Sequence, residues 1–180
     1  MCSRPLQAPD AASHTPCLQL ETTRHCFWDC VHAQRVWRLV NAMLFAHAHR
    51  DAPPAGGALP APLSKDRNLV LLQPPALARG STLSWAITAG AALSLIWRGR
   101  CTPSVRPTST LGLYTQLTQI IAEETAVVAR FRRPTTIAAR ATPTSDPLFV
   151  FHKDRHGKVL SVTLRPLPKW TELKPELRPE

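Results

Sequence analysis

Proline decides where this chain can be helical. The run Asp51-Ala-Pro-Pro-Ala-Gly-Gly-Ala-Leu-Pro-Ala-Pro-Leu63 holds four prolines and a glycine pair. These residues remove backbone donors and favour extended conformers, so no helix passes through it. Residues 51–80 are therefore read as a Pro/Ala/Gly-rich linker. With 18 Pro among 180 residues and only 6% aromatic residues, a globule that is compact throughout is not expected. The 44% of hydrophobic residues still suffices for a core in part of the chain. The length suits one domain with flexible segments.

Between the breaks, apolar periodicity marks helices. From Val31 to about His49, Ala33, Val36, Trp37, Val40, Met43 and Leu44 recur at three- and four-residue steps, with Arg35 and Arg38 outside the stripe. That stripe needs something to pack against. A second helix is expected over Ser81 to Arg98, capped by Ser81 or Thr82 and ended by Pro103 and Pro107. The stretch Gly80 to Trp97 is uncharged and barely long enough to span a bilayer. Ser81, Thr82, Ser84, Thr88, Gly90 and Ser94 dilute it, so a buried helix is the better reading and no membrane partner is expected. The clearest helix is the third. Thr108 or Ser109 can cap it, and Leu111, Tyr114, Leu117, Ile120, Ile121, Val127, Val128 and Phe131 keep helical spacing up to Pro134.

Leu148 to Phe151 and Val159 to Leu164 are β-rich runs on either side of Lys153-Asp-Arg-His-Gly157, a turn sequence, which suggests a hairpin. Two strands alone are marginal, so the hairpin must dock on the helices. The fold class expected is mainly α, with a small irregular zinc-knuckle module, a C-terminal β-hairpin, and a disordered linker and termini. Its segments are 1–13 (disordered), 14–50 (zinc module and helix), 51–80 (linker), 81–133 (helical), 134–165 (hairpin) and 166–180 (disordered tail). Met1 to Asp10 lacks a charged stretch followed by an apolar run, so no signal peptide is read.

Lys plus Arg total 22 against 12 Asp plus Glu, a net charge of +10, which favours a polyanionic partner. The excess is spread: +2 over 1–50 (5 basic, 3 acidic), +4 over 51–110 (6 and 2) and +4 over 111–180 (11 and 7). Arg130, Arg132, Arg133 and Arg140, interrupted by Phe131, form the best basic cluster for phosphate contacts. The competing reading is a solvated helix end whose cations suit the C-terminal dipole.

Five cysteines form an odd set with no secretory framework. Three of them, Cys17, Cys26 and Cys30, crowd together with His14 and His25. The spacing His14-x2-Cys17-x7-His25-x4-Cys30 joins two ligand pairs by a short loop, the shape of a tetrahedral zinc site. Four protein ligands leave no open position for a reacting water, so Zn(2+) here would be structural. A segment of under about 40 residues seldom folds alone, whereas a structural zinc contributes on the order of 10–16 kcal/mol of apparent binding energy. On this reading the metal serves as the core of the segment.

The residues Cys17-x3-Glu21-Thr22-x2-His25-x4-Cys30-x2-Ala33-x3-Trp37 resemble the zinc-binding region that follows the polymerase in non-LTR (LINE-type) retrotransposon reverse transcriptases. That family's pattern is Cys-x2-Cys, Glu-Thr, His-x4-Cys and a helix carrying Ala and Trp. His14 stands where the family has its first Cys, and Cys26 is a spare donor nearby. The resemblance covers residues 14–50 and implies a non-catalytic fragment that binds single-stranded RNA or DNA through a zinc knuckle and basic neighbours. It also implies action in the nucleus. Trp37, lying in an apolar helical stripe, is expected in the core as the roof of the zinc loop.

No polymerase fits. The chain has no Asp-Asp pair to hold two metal ions, no phosphate-cradling glycine loop, no Gly-x-Ser-x-Gly and no His-Glu-x-x-His. Glu123 and Glu124 are adjacent on a helix, so their side chains diverge by about 100° and read as solvated charges. From a different class, a helical interaction module would use Leu111 to Phe131 to dock a partner helix. A degenerate remnant without selected function completes the set of readings.

Overall fold

The computed structural model describes residues 22–48, 82–102, 109–138 and 146–173. Within them about 70% of residues are helical, and a two-stranded antiparallel hairpin lies near the C-terminus. The N-terminal 1–13 segment, the 51–80 linker, His14, Cys17, Glu21, Ser81, Thr108, Pro103, Pro107, Arg140 and residues 174–180 lie outside the described residues.

The expected irregular loop between His25 and Cys30 is replaced by a π-helical turn, His25–Asp29. Its start is held by Thr22, whose Oγ1 accepts from the His25 N–H at 3.0 Å. Its end is closed by the Cys30 N–H, which donates to the His25 carbonyl five residues back at 2.9 Å. Cys30 itself is extended, and helix α1, Val31–Ala48, starts immediately after it.

Three long helices carry the core: α1, α2 (Thr82–Cys101) and α3 (Thr110–Phe131). Each touches the other two. The stripe on α1 finds its partner here, because Val36, Leu39, Val40, Met43 and Leu44 are buried with Trp85, Leu95 and Ile96 of α2 and Leu113, Leu117 and Ile121 of α3. The apolar side chains of residues 22–48 share a tertiary core with the rest of the chain. Helix α2 is buried around much of its circumference, with Ser84, Thr88 and Gly99 enclosed as well as its apolar residues. Its uncharged stretch reflects that position, and among the described residues no helix is long and apolar enough to cross a membrane.

Helix α3 starts where its cap says it should: Ser109 Oγ accepts from the Gly112 N–H at 3.0 Å. A long-range bond ties this end to α1, the Arg35 guanidinium donating to Thr110 Oγ1 at 3.2 Å. Past Phe131 the chain turns at Arg132 and Arg133 into a short helix, α4, Pro134–Ala138. Proline is accepted at this first helical position because its missing N–H has no partner there to lose.

Strands β1 (Phe149–Lys153) and β2 (Val159–Leu164) pair antiparallel with Phe149 opposite Leu164, and a bulge falls beside Lys153. Asp154 closes the turn: its Oδ1 accepts from the N–H groups of His156 and Lys158, and Gly157 takes φ 80°, a conformation that glycine adopts without strain. The hairpin docks through β2 on α3 and α4. Its root is held by the buried Asp146, whose Oδ1 accepts from Ser84 Oγ of α2 at 2.6 Å and from the N–H groups of Leu148 and Phe149 at 2.8 and 2.9 Å.

The segment from Pro166, expected to be disordered, is ordered through Leu173. Trp170–Glu172 form a 3-10 turn, Trp170 packs on Tyr114 of α3 at 5.3 Å, and Leu173 is fully buried. The Tyr114 hydroxyl donates to the Pro168 carbonyl. Proline content suggested disorder, yet one buried phenol and two apolar side chains suffice to dock the segment.

Candidate metal and nucleic-acid site

Of the four expected zinc ligands, His25 and Cys30 are described, and His14 and Cys17 lie outside. The π-turn hydrogen bond links His25 directly to Cys30, bringing together two residues five apart in sequence. His25 is 4% exposed, and Cys30 is half-buried. Cys26, the spare donor, is a buried free thiol. An imidazole and a thiolate fit the donor preference of zinc, and a π-turn packed on a helix gives them a rigid base. Among the described residues, no group of three or more His, Cys, Asp or Glu side chains gathers around one point. A complete four-ligand site needs donors from the segment before Thr22.

Of the residues that carry the resemblance and are not candidate ligands, Thr22, Ala33 and Trp37 are described. Thr22 caps the π-turn. Ala33, fully buried, occupies the first turns of α1 among the core residues. The Trp37 indole N–H donates to the Phe27 carbonyl at 2.7 Å, and its ring lies 4.7 Å from that of Trp28. Trp37 is buried at 7% exposure and covers the turn, as expected of it. The turn is further pinned by Gln34 Nε2, which donates to the Asp29 carbonyl at 3.3 Å, and by an Arg24–Asp29 ion pair at 3.2 Å. Sequence reasoning missed the π-helical form, since the periodic signal of a five-residue turn is too short to read.

Arg130, Arg132 and Arg133 are all exposed at the end of α3, around Phe131, which is 73% exposed; Arg140 lies outside the described residues. The Arg130 guanidinium lies 5.5 Å from the centre of the Phe131 ring. The end of α3 thus offers cations and one aromatic ring to solvent. Further cations stand on the hairpin, where Lys153, Arg155 and Lys158 are exposed. Glu123 and Glu124 are exposed, with Gln119 Nε2 donating to Glu123 at 2.9 Å.

The α3 stripe weighed for docking a partner helix is largely used inside the molecule. Leu113, Tyr114, Leu117, Ile120 and Ile121 are buried, and Leu111, Val127 and Phe131 are left in solvent.

A second feature lies on the far side of the π-turn. A cleft of about 360 Å³ opens between the turn and the C-terminal end of α2, lined by Thr22, Thr23, Phe27, Trp97 and Arg100 together with the thiols of Cys26 and Cys101. Phe27 and Trp97 stack there with ring centres 6.0 Å apart and planes at 21°. Nothing local in the sequence shows that Trp97 faces water.

Comparison with known proteins finds no matching family, no matching curated protein and no matching solved structure.

Proposed function

We propose that this chain is a non-catalytic, retroelement-derived nucleic-acid-binding protein in which His14, Cys17, His25 and Cys30 hold one structural zinc ion. In this reading the zinc clamps the segment before Thr22 onto the π-turn, and the basic surface contacts single-stranded RNA or DNA. The observation that carries it is the Trp37–Phe27 hydrogen bond with the Thr22 cap. Residues of the zinc-region pattern that are not ligands converge on the segment that bears His25 and Cys30. A chance grouping of cysteines has no reason to do so. The exposed arginines after α3 and the +10 charge supply the phosphate-binding part.

Elemental analysis of natively purified protein tests the metal. One zinc per chain, lost in His25→Ala and weakened in His14→Ala, is the expected result; metal-free wild type would remove the zinc part of the reading. Binding to a single-stranded oligonucleotide tests the rest. Affinity should fall by at least about tenfold between about 50 and 200 mM salt, because displaced counterions drive such binding. Binding that ignores salt would exclude the electrostatic mechanism.

A further inference from the structure

We infer that the cleft between the π-turn and the end of α2 is a binding site for single-stranded nucleic acid, with a base stacked on Trp97 and a phosphate met by Arg100. The inference rests on the nucleic-acid reading above and assigns it a place. It starts from an anomaly of burial. Trp85, on the same helix, is 2% exposed, whereas Trp97 is 53% exposed. A tryptophan half in water forgoes much of the stabilisation that burying an aromatic ring brings, so its position calls for a reason.

The surroundings of Trp97 supply one. Phe27 stacks on it from the π-turn, which fixes the ring plane before any ligand arrives. A preoriented ring loses little side-chain freedom on binding, and every base offers a flat face to it, so recognition by stacking tolerates sequence. Base faces are accessible only when the strand is unpaired, which selects single strands over duplex. Arg100, three residues on and so on the same helix face as Trp97, lines the cleft. Thr22 and Thr23 also line the cleft, and their hydroxyls can bond base edges or a sugar. Among the described residues no carboxylate lines the cleft, and nearby Asp29 is paired to Arg24. An aromatic platform, a guanidinium and two hydroxyl-bearing residues thus line one cleft.

The Arg130–Phe131 patch lacks this shape. Its ring already has a guanidinium 5.5 Å from its centre. It suits phosphate contacts along the strand better than it suits holding a base.

The test uses the full chain and a fluorescein-labelled oligouridine 20-mer, read by fluorescence anisotropy at low salt. Trp97→Ala should weaken binding on the order of 5- to 100-fold, and Trp97→Phe should keep most of it. Circular dichroism melts of both variants should match wild type, since the ring is half in water. Independently of any variant, 5-iodouridine in the oligomer should cross-link wild type at Trp97 or Phe27. If wild type binds but Trp97→Ala binds equally well, or cross-links fall only around Arg130 to Arg133, the cleft is not the site and the nucleic-acid reading survives. If wild type does not bind the oligomer even at low salt, the reading and the inference fall together.

Discussion

A methyl group on Gly99 would lie 2.6 Å from Nε2 of His32, a side chain that is itself 2% exposed and enclosed between α1 and α2. The imidazole cannot swing aside without disturbing the core, so Gly99→Ala is expected to destabilise the fold by about 1–3 kcal/mol, measured by urea unfolding. Gly90 on the same helix meets nothing within 4 Å, and Gly90→Ala serves as the control that should stabilise or leave stability unchanged. Asp146 is the other residue whose removal is expected to be costly. Asp146→Ala leaves the Ser84 hydroxyl and two N–H groups without their acceptor, and a loss of about 2–4 kcal/mol is expected, with hydrogen exchange rising first at the hairpin root. Neither effect is legible in the sequence. Gly99 has no neighbour until α1 is packed against α2, and Asp146 meets Ser84 across 62 positions of chain.

Between elements, two contacts decide whether the peripheral segments stay docked. Trp37→Phe keeps most of the buried ring but deletes the bond to the Phe27 carbonyl, for an expected cost of about 1–2 kcal/mol. On the proposed zinc reading the same variant should weaken zinc retention under chelator challenge, because the turn bearing His25 and Cys30 loses a hydrogen bond that holds it. Tyr114 performs the corresponding task for the Pro166–Leu173 segment. Burial, and secondarily the charge of Glu172, push its phenol pKa above its ordinary value. The folded-state pKa is raised, so the associated stability is fully present below the unfolded value of about 10 and is lost as pH rises through the folded pKa. Wild type should therefore lose stability above about pH 10 more steeply than Tyr114→Phe, as measured by urea midpoints of the two proteins across that range. The long helices were legible because their signals are local: Ser109 as cap, the Tyr114, Leu117, Ile121 spacing and Pro134 as stop all lie within or just beyond one element. The docking of the C-terminal segment was not, since Tyr114 and Pro168 carry no mark that relates them.

Across the whole molecule the core belongs to α1, α2 and α3, and its members in the described residues are apolar side chains rather than metal ligands. On the proposed zinc reading, removing the metal should leave most of the helical circular dichroism signal in place and raise hydrogen exchange chiefly between residues 22 and 30. Collapse of the whole helical signal would instead place the metal at the centre of the fold. By itself, the sequence determined the positions of the three long helices and the hairpin, the cationic character and the pair of candidate ligands at His25 and Cys30. Each of these follows from residues within a few positions of one another or from composition. Only the tertiary structure decided that α1 buries its stripe against α2 and α3, that Trp37 holds the turn by its N–H, and that Trp97 faces water behind Phe27. Those outcomes depend on which surfaces meet, and the free energy of meeting is shared among residues up to dozens of positions apart, so no local pattern records it.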